Sequence, residues 1–111
     1  MSASNRPNRP HREEGFDAAL VRHVPEHMRE AIVNWIDGKT PPKMLGHFLY
    51  ALLCHDLWEA FARADEANAN SMRGWVLFLH NYAPSTCHGS AEKLETYYAY
   101  RPRRDDAESD Q

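Results

Sequence analysis

Two Cys-His dipeptides, Cys54-His55 and Cys87-His88, with His47 and His80 nearby in sequence, are the side chains of this chain best suited to hold a metal ion. Thiolate and imidazole are the usual zinc ligands, but they normally come as closely spaced Cys-Cys or His-His pairs, whereas neighbours on a helix point about 100° apart. That spacing favours Cys54 packing as a small apolar residue and histidines left half-exposed, with no metal or other cofactor expected. Ser90-Ala91-Glu92-Lys93 matches the Ser-x-x-Lys of penicillin-recognising enzymes, in which the serine is the nucleophile. Its companion motifs, Ser-Asp-Asn and Lys-Thr-Gly, are missing and the chain is short for that fold, so helix capping accounts for the serine. No enzymatic activity is expected.

Two further groups suit recognition. Arg63, Asp65, Glu66 and Asn68 form a compact polar set, which reads as a helix junction in which Asp65 caps and Arg63 pairs locally. The run Tyr97-Tyr98-Ala99-Tyr100-Arg101-Pro102-Arg103-Arg104 interleaves aromatics with arginines, a composition found where bases stack and at protein hot spots. By spacing, one or two of these tyrosines face the core. Tyr98, Tyr100, Arg101, Arg103 and Arg104, together with Arg63, are the candidate contact residues.

Positioning these groups falls to a set of helices arranged about Met44 to Asp65, the most apolar part of the chain. Leu45, Phe48, Leu49, Leu52 and Leu53 recur at helical spacing, and Met44, Tyr50, Ala51 and Cys54 flank them, which marks a central helix. Prolonging that helix would bury Asp56, so a corner is expected near Cys54 and His55, with Asp56 as N-cap and Glu59 closing a capping box. The helix beyond the corner would turn Leu57, Ala60, Phe61 and Ala64 inward. Upstream, Phe16, Leu20, Val21 and Val24 suggest a short segment laid against the body. Pro25, Glu26 and Gly38 bracket an amphipathic helix over 25–37, carrying Met28, Ile32, Trp35 and Ile36. Thr40 ahead of Pro41 and Pro42 is a candidate cap for the central helix. A single helix is expected over 66–82, with Met72, Trp75, Val76 and Leu79 on its apolar face and Pro84 fixing its end. Ser90 then caps a last helix that buries Leu94 and Tyr97, half-buries Tyr98 and is stopped by Pro102.

Neither apolar/polar alternation nor a tight hairpin turn is present, so the expected class is all-α: one compact domain of four to five short helices over 15–100. Residues 1–14 read as a disordered basic arm and 101–111 as a charged disordered tail. The chain has 111 residues, 42% of them hydrophobic, enough for a real core. Its net charge of −3 divides into +3 over residues 1–12 and −1 over 101–111, which leaves −5 on the body. An acidic body is a poor match to a nucleic-acid-gripping surface. No signal-peptide core or membrane-spanning run is evident, and a cytoplasmic setting with two reduced thiols is expected.

The strings around Asp56-Leu57, Arg63-Ala64-Asp65 with Asn68, and Asn81 to Pro84 followed by Cys87, Gly89 and Ser90 resemble small helical proteins encoded by tailed bacteriophages and prophages. The resemblance covers about Pro25 to Tyr98. It implies a phage or prophage origin and carries over no catalytic residue. Taken with the acidic body, the spare aromatics and the lack of a convincing catalytic group, it points to a non-enzymatic accessory protein in the cytoplasm of a bacterial host, acting by binding a host or phage protein. An inhibitor of a host defence complex, of the anti-CRISPR kind, is one form of this. A helix-turn-helix-like nucleic-acid binder is the first alternative, since two short helices meeting at a corner have that outline. A Cys/His metal-binding protein is the second. Three tryptophans and five tyrosines leave room for self-association.

Overall fold

Asp56, Asp65 and Ser90 each open a helix by accepting a backbone N–H from the residue three positions on. The structure is a computed structural model that describes residues 15–100, and every regular element within them is helical. These are α1 (Phe16–His23), α2 (Glu26–Ile36), α3 (His47–Leu53), α4 (Leu57–Arg63), α5 (Glu66–Asn70), α6 (Met72–Tyr82) and α7 (Ala91–Ala99), with 3-10 turns at Pro42–Met44 and Ser85–Cys87. No helix among the described residues is long and apolar enough to cross a membrane. The basic arm at 1–14, the tail at 101–111 and the contact residues Arg101, Arg103 and Arg104 lie outside the described residues.

The all-α class holds, but the described residues form seven helices instead of four to five. Residues 16–23 close into a full helix, with Phe16, Ala19 and Leu20 buried. The expected single helix over 66–82 is interrupted at Ser71, whose backbone (φ −108°, ψ 14°) leaves helical geometry. Asn and Ser compete with the backbone for hydrogen bonds and weaken a helix interior. Here the buried Asn68 also accepts the indole N–H of Trp75 at 3.0 Å, which ties α5 back onto α6.

The central stretch starts later than its spacing suggests. Pro42 begins a 3-10 turn and Gly46 (φ 87°) redirects the chain, so α3 opens at His47 without a side-chain cap and Thr40 does not cap it. Met44 is accordingly exposed and Leu45 only partly buried, while Phe48, Leu49, Ala51, Leu52 and Leu53 are core.

Two fully buried tryptophans organise the packing around α3. Trp35 of α2 meets the Tyr97 ring of α7 at 5.3 Å and donates its indole N–H to the Cys87 carbonyl at 3.0 Å. The Tyr97 hydroxyl donates to the Ile36 carbonyl, so the end of α2 is held by two partners distant in sequence. Trp75 of α6 and Phe48 meet in an edge-type contact at 5.9 Å, and Phe16 of α1 meets Phe78 at 5.2 Å. Arg29 of α2 donates to the Val21 and Val24 carbonyls, covering the open end of α1.

At the crossing of α1 and α6 the backbones nearly touch. A Cβ added at Gly74 would lie 2.7 Å from the His23 carbonyl oxygen and 3.2 Å from its Cα. Gly74→Ala therefore sets two effects against each other. Alanine favours a helix by about 1 kcal/mol, whereas forcing packed elements apart costs about 1–3 kcal/mol. A net loss of about 1 kcal/mol is expected from these terms. Urea unfolding checks it, and an unchanged or raised midpoint would mean that α1 yields freely.

Candidate functional site

The site grows from a pair of helix ends. α2 terminates with the Gly38 N–H bonded to the Trp35 carbonyl at 3.0 Å and the Lys39 N–H bonded to the Asn34 carbonyl at 2.9 Å, with Gly38 left-handed (φ 80°). α3 terminates in the same pattern: the His55 N–H reaches the Leu52 carbonyl at 3.0 Å and the Asp56 N–H reaches the Ala51 carbonyl at 2.9 Å. At this corner the left-handed residue is not glycine but His55, φ 65°. Left-handed backbone is unfavourable for a residue with a Cβ by roughly 1–2 kcal/mol.

Asp56 then caps α4 by accepting the Glu59 N–H at 3.1 Å, as the sequence predicts. The second half of the capping box is not made. Instead the Glu59 carboxylate takes the Arg63 Nε–H at 2.7 Å, an exposed i,i+4 pair. Of the four residues expected to face inward from α4, Ala60 alone is fully buried and Ala64 partly so. Leu57 is 47% exposed, Phe61 52% and Trp58 88%. A helix of two turns resting on one small side chain has no second surface against which to bury the large ones.

This outward face continues onto α6 through Val76, which is 45% exposed. Beside it lies a cavity of about 220 Å³ lined by Leu52, Leu57, Val76 and Leu79 and by three histidines, His55, His80 and His88. The His55 Nε2 and His88 Nδ1 atoms are 2.7 Å apart, with ring centroids at 5.0 Å. Next to them the Gly89 N–H donates to the Leu53 carbonyl at 2.7 Å, joining the loop before α7 to the end of α3. His88 Nε2 is buried without a hydrogen-bond partner. Burial first, then the neighbouring His55, holds the His88 imidazole below its ordinary range.

The six residues considered for metal binding do not converge on one point, because His55, His80 and His88 line this cavity and the cysteines and His47 do not. Cys87 is fully buried against Trp35, and burial pushes its thiol up to about 12. Cys54 is half-buried and lines a different cleft, with His47 and Tyr50. Among the described residues no group of three or more His, Cys, Asp or Glu is disposed to hold a metal ion. Ser90 is the N-cap of α7, its hydroxyl accepting the Lys93 N–H at 3.1 Å, while Lys93 Nζ donates to the Ser85 carbonyl at 3.1 Å.

The proposed contact residues are distributed over two elements. Arg63 closes α4 in its pair with Glu59, and Asp65 caps α5 through the Asn68 N–H at 2.8 Å while meeting His27 Nε2 at 2.9 Å. Those contacts, the Asn68 N–H above all, lower the Asp65 carboxyl below its usual range. Tyr98 is partly buried against the core, and Tyr100 stands 83% exposed at the end of α7. Sequence reasoning missed the surface formed by Leu57, Trp58, Phe61 and Val76. The available signal was their number: three large apolar residues within five positions exceed what one face of so short a helix can bury.

No protein-family model matches this chain, no curated protein matches it in sequence, and no solved structure matches it in fold.

Proposed function

We propose that this chain is a non-enzymatic protein-binding module that engages its partner through the outward face of α4 and the adjoining part of α6. The observation that carries this is Trp58, 88% exposed on a two-turn helix that also leaves Leu57 and Phe61 about half in solvent, with Leu57 sharing a cavity with the exposed Val76 of α6. Tryptophan dominates protein interfaces because it buries a large rigid area at small entropic cost, and contiguous apolar surface on a soluble domain marks an interaction site. The neighbouring cavity, about 220 Å³, is smaller than the roughly 300–1,000 Å³ clefts that enclose small ligands. It suits a single apolar side chain, so the partner is a protein presenting a bulky apolar anchor there.

The resemblance to phage and prophage proteins supports a bacterial host or phage protein as that partner, a host defence complex among the options. Nucleic-acid docking has less support, because the one arginine of α4 is engaged by Glu59 and Asp56 adds a further negative charge. The test is competitive capture. Immobilised protein should retain a bacterial protein in stoichiometric amount, displaced by soluble wild type and not by Trp58→Asp. Retention of nothing, or equal displacement by both, rejects this function, and sedimentation of the free protein as a Trp58-dependent dimer would reassign the surface to self-association.

A further inference from the structure

We propose that the His55–His88 contact is a proton-operated latch, fixing the start of α4 to the body at neutral pH and releasing it in mild acid. The contact joins the corner between α3 and α4 to the loop that precedes α7. At 2.7 Å one ring nitrogen must carry hydrogen and the other must be bare. A neutral pair meets that condition. So does a pair holding one extra proton, since an imidazolium N–H donates well to a neutral ring nitrogen. When both rings are protonated, two N–H groups and two positive charges oppose each other, and the contact cannot persist.

His88 decides when that happens. The charged groups acting on it are all basic, His55 from the corner, Lys93 from α7 and His80 from α6, and the Leu79 backbone alone favours its protonated form, without outweighing them and burial. The carboxylate adjoining His55 in sequence, Asp56, is engaged as the cap of α4. Burial and those neighbours keep His88 below the ordinary histidine value of about 6.5. The sign follows by linkage: the released or unfolded state binds this proton more readily, so the latch contributes fully above about pH 6.5 and is lost as pH falls towards the lowered value.

The backbone supplies a separate reason. α2 makes the same terminal pattern with Gly38, whereas α3 holds His55 in the left-handed region, where a side chain is disfavoured. A residue kept there against its preference points to a task for its side chain. With Ala60 the only fully buried side chain of α4, loosening the corner alters how Leu57, Trp58 and Phe61 are presented. Control of binding rests on the function proposed above; the latch itself is a property of the free protein.

Two-dimensional NMR of the full chain, wild type and His55→Gly, tests it with no partner present. Glycine suits the left-handed position, so the corner survives the change. In the wild type the amides of residues 57–63 should shift together with the His88 ring, at a midpoint below that of free imidazole. Their hydrogen exchange, corrected for intrinsic rate, should quicken roughly tenfold between about pH 7 and pH 5. In His55→Gly the α4 response should vanish while His88 still titrates. Amides of α4 that stay fixed as His88 titrates, or that move equally in both proteins, would overturn the latch. Failure of competitive capture with this titration intact would remove the binding role and leave the latch standing.

Discussion

Trp35→Ala is expected to destabilise the protein by about 3–5 kcal/mol, the range for deleting a large buried aromatic. Trp35 is fully buried, and its loss would open a cavity beneath the Tyr97 ring. It would also strip the Cys87 carbonyl of its indole donor. Domains of this size are stable by about 5–15 kcal/mol, so roughly a fifth or more of the total is at stake. With each kcal/mol moving the midpoint by roughly 4–8 °C, thermal unfolding should fall by more than about 12 °C. Trp35→Phe separates the two contributions, since it keeps most of the volume and removes the donor. Its expected cost is about 1–3 kcal/mol. Circular dichroism melts of the three proteins decide the matter, and a shift of only a few degrees for Trp35→Ala would contradict the central place given to this residue.

Trp58→Ala should do the reverse. With 88% of the side chain in solvent, little packing is lost, and the change in stability should stay within about 0.5 kcal/mol. Partner affinity should fall by at least about 2 kcal/mol, roughly 30-fold, which is the threshold of a hot spot. Titration calorimetry against the captured protein measures the second quantity and urea unfolding the first. Tyr100→Ala is the matched control: that residue is 83% exposed but lies at the C-terminal end of α7. Equal losses from both variants would place the contact elsewhere, and a large stability loss from Trp58→Ala would mean that the indole is structural.

Much of the fold is legible because it is written locally. Gly38 ends α2, Asp56 caps α4, Asp65 caps α5 and Ser90 caps α7, each through a hydrogen bond within a few residues that a short polar side chain or a glycine makes unaided. The apolar spacing of Ile32, Trp35 and Ile36, and of Phe48, Leu49, Leu52 and Leu53, marks buried faces for the same reason. The features that sequence does not reveal depend on contacts beyond a single helical turn, some between segments far apart. Ser71 breaks a helix where Asn68 is drawn inward by Trp75. His55 meets His88 across 33 positions of sequence. Gly74 lies against His23, and no local pattern announces that crossing. The outward turn of α4 is the most consequential of these, because periodicity identifies an apolar face without saying whether another element covers it.

The two thiols occupy such different surroundings that they can be told apart chemically. A maleimide reagent added to the native protein should form an adduct at half-buried Cys54 and leave Cys87 untouched, because Cys87 is fully enclosed and its burial keeps it protonated. The second adduct then forms only during excursions that unseat Trp35, and its rate in mass spectra, rising with urea, counts those openings. Similar rates at both sulfurs under native conditions would mean that this end of the molecule opens far more often than its packing implies. A fluorophore or spin label can thus be placed at Cys54 without altering the sequence.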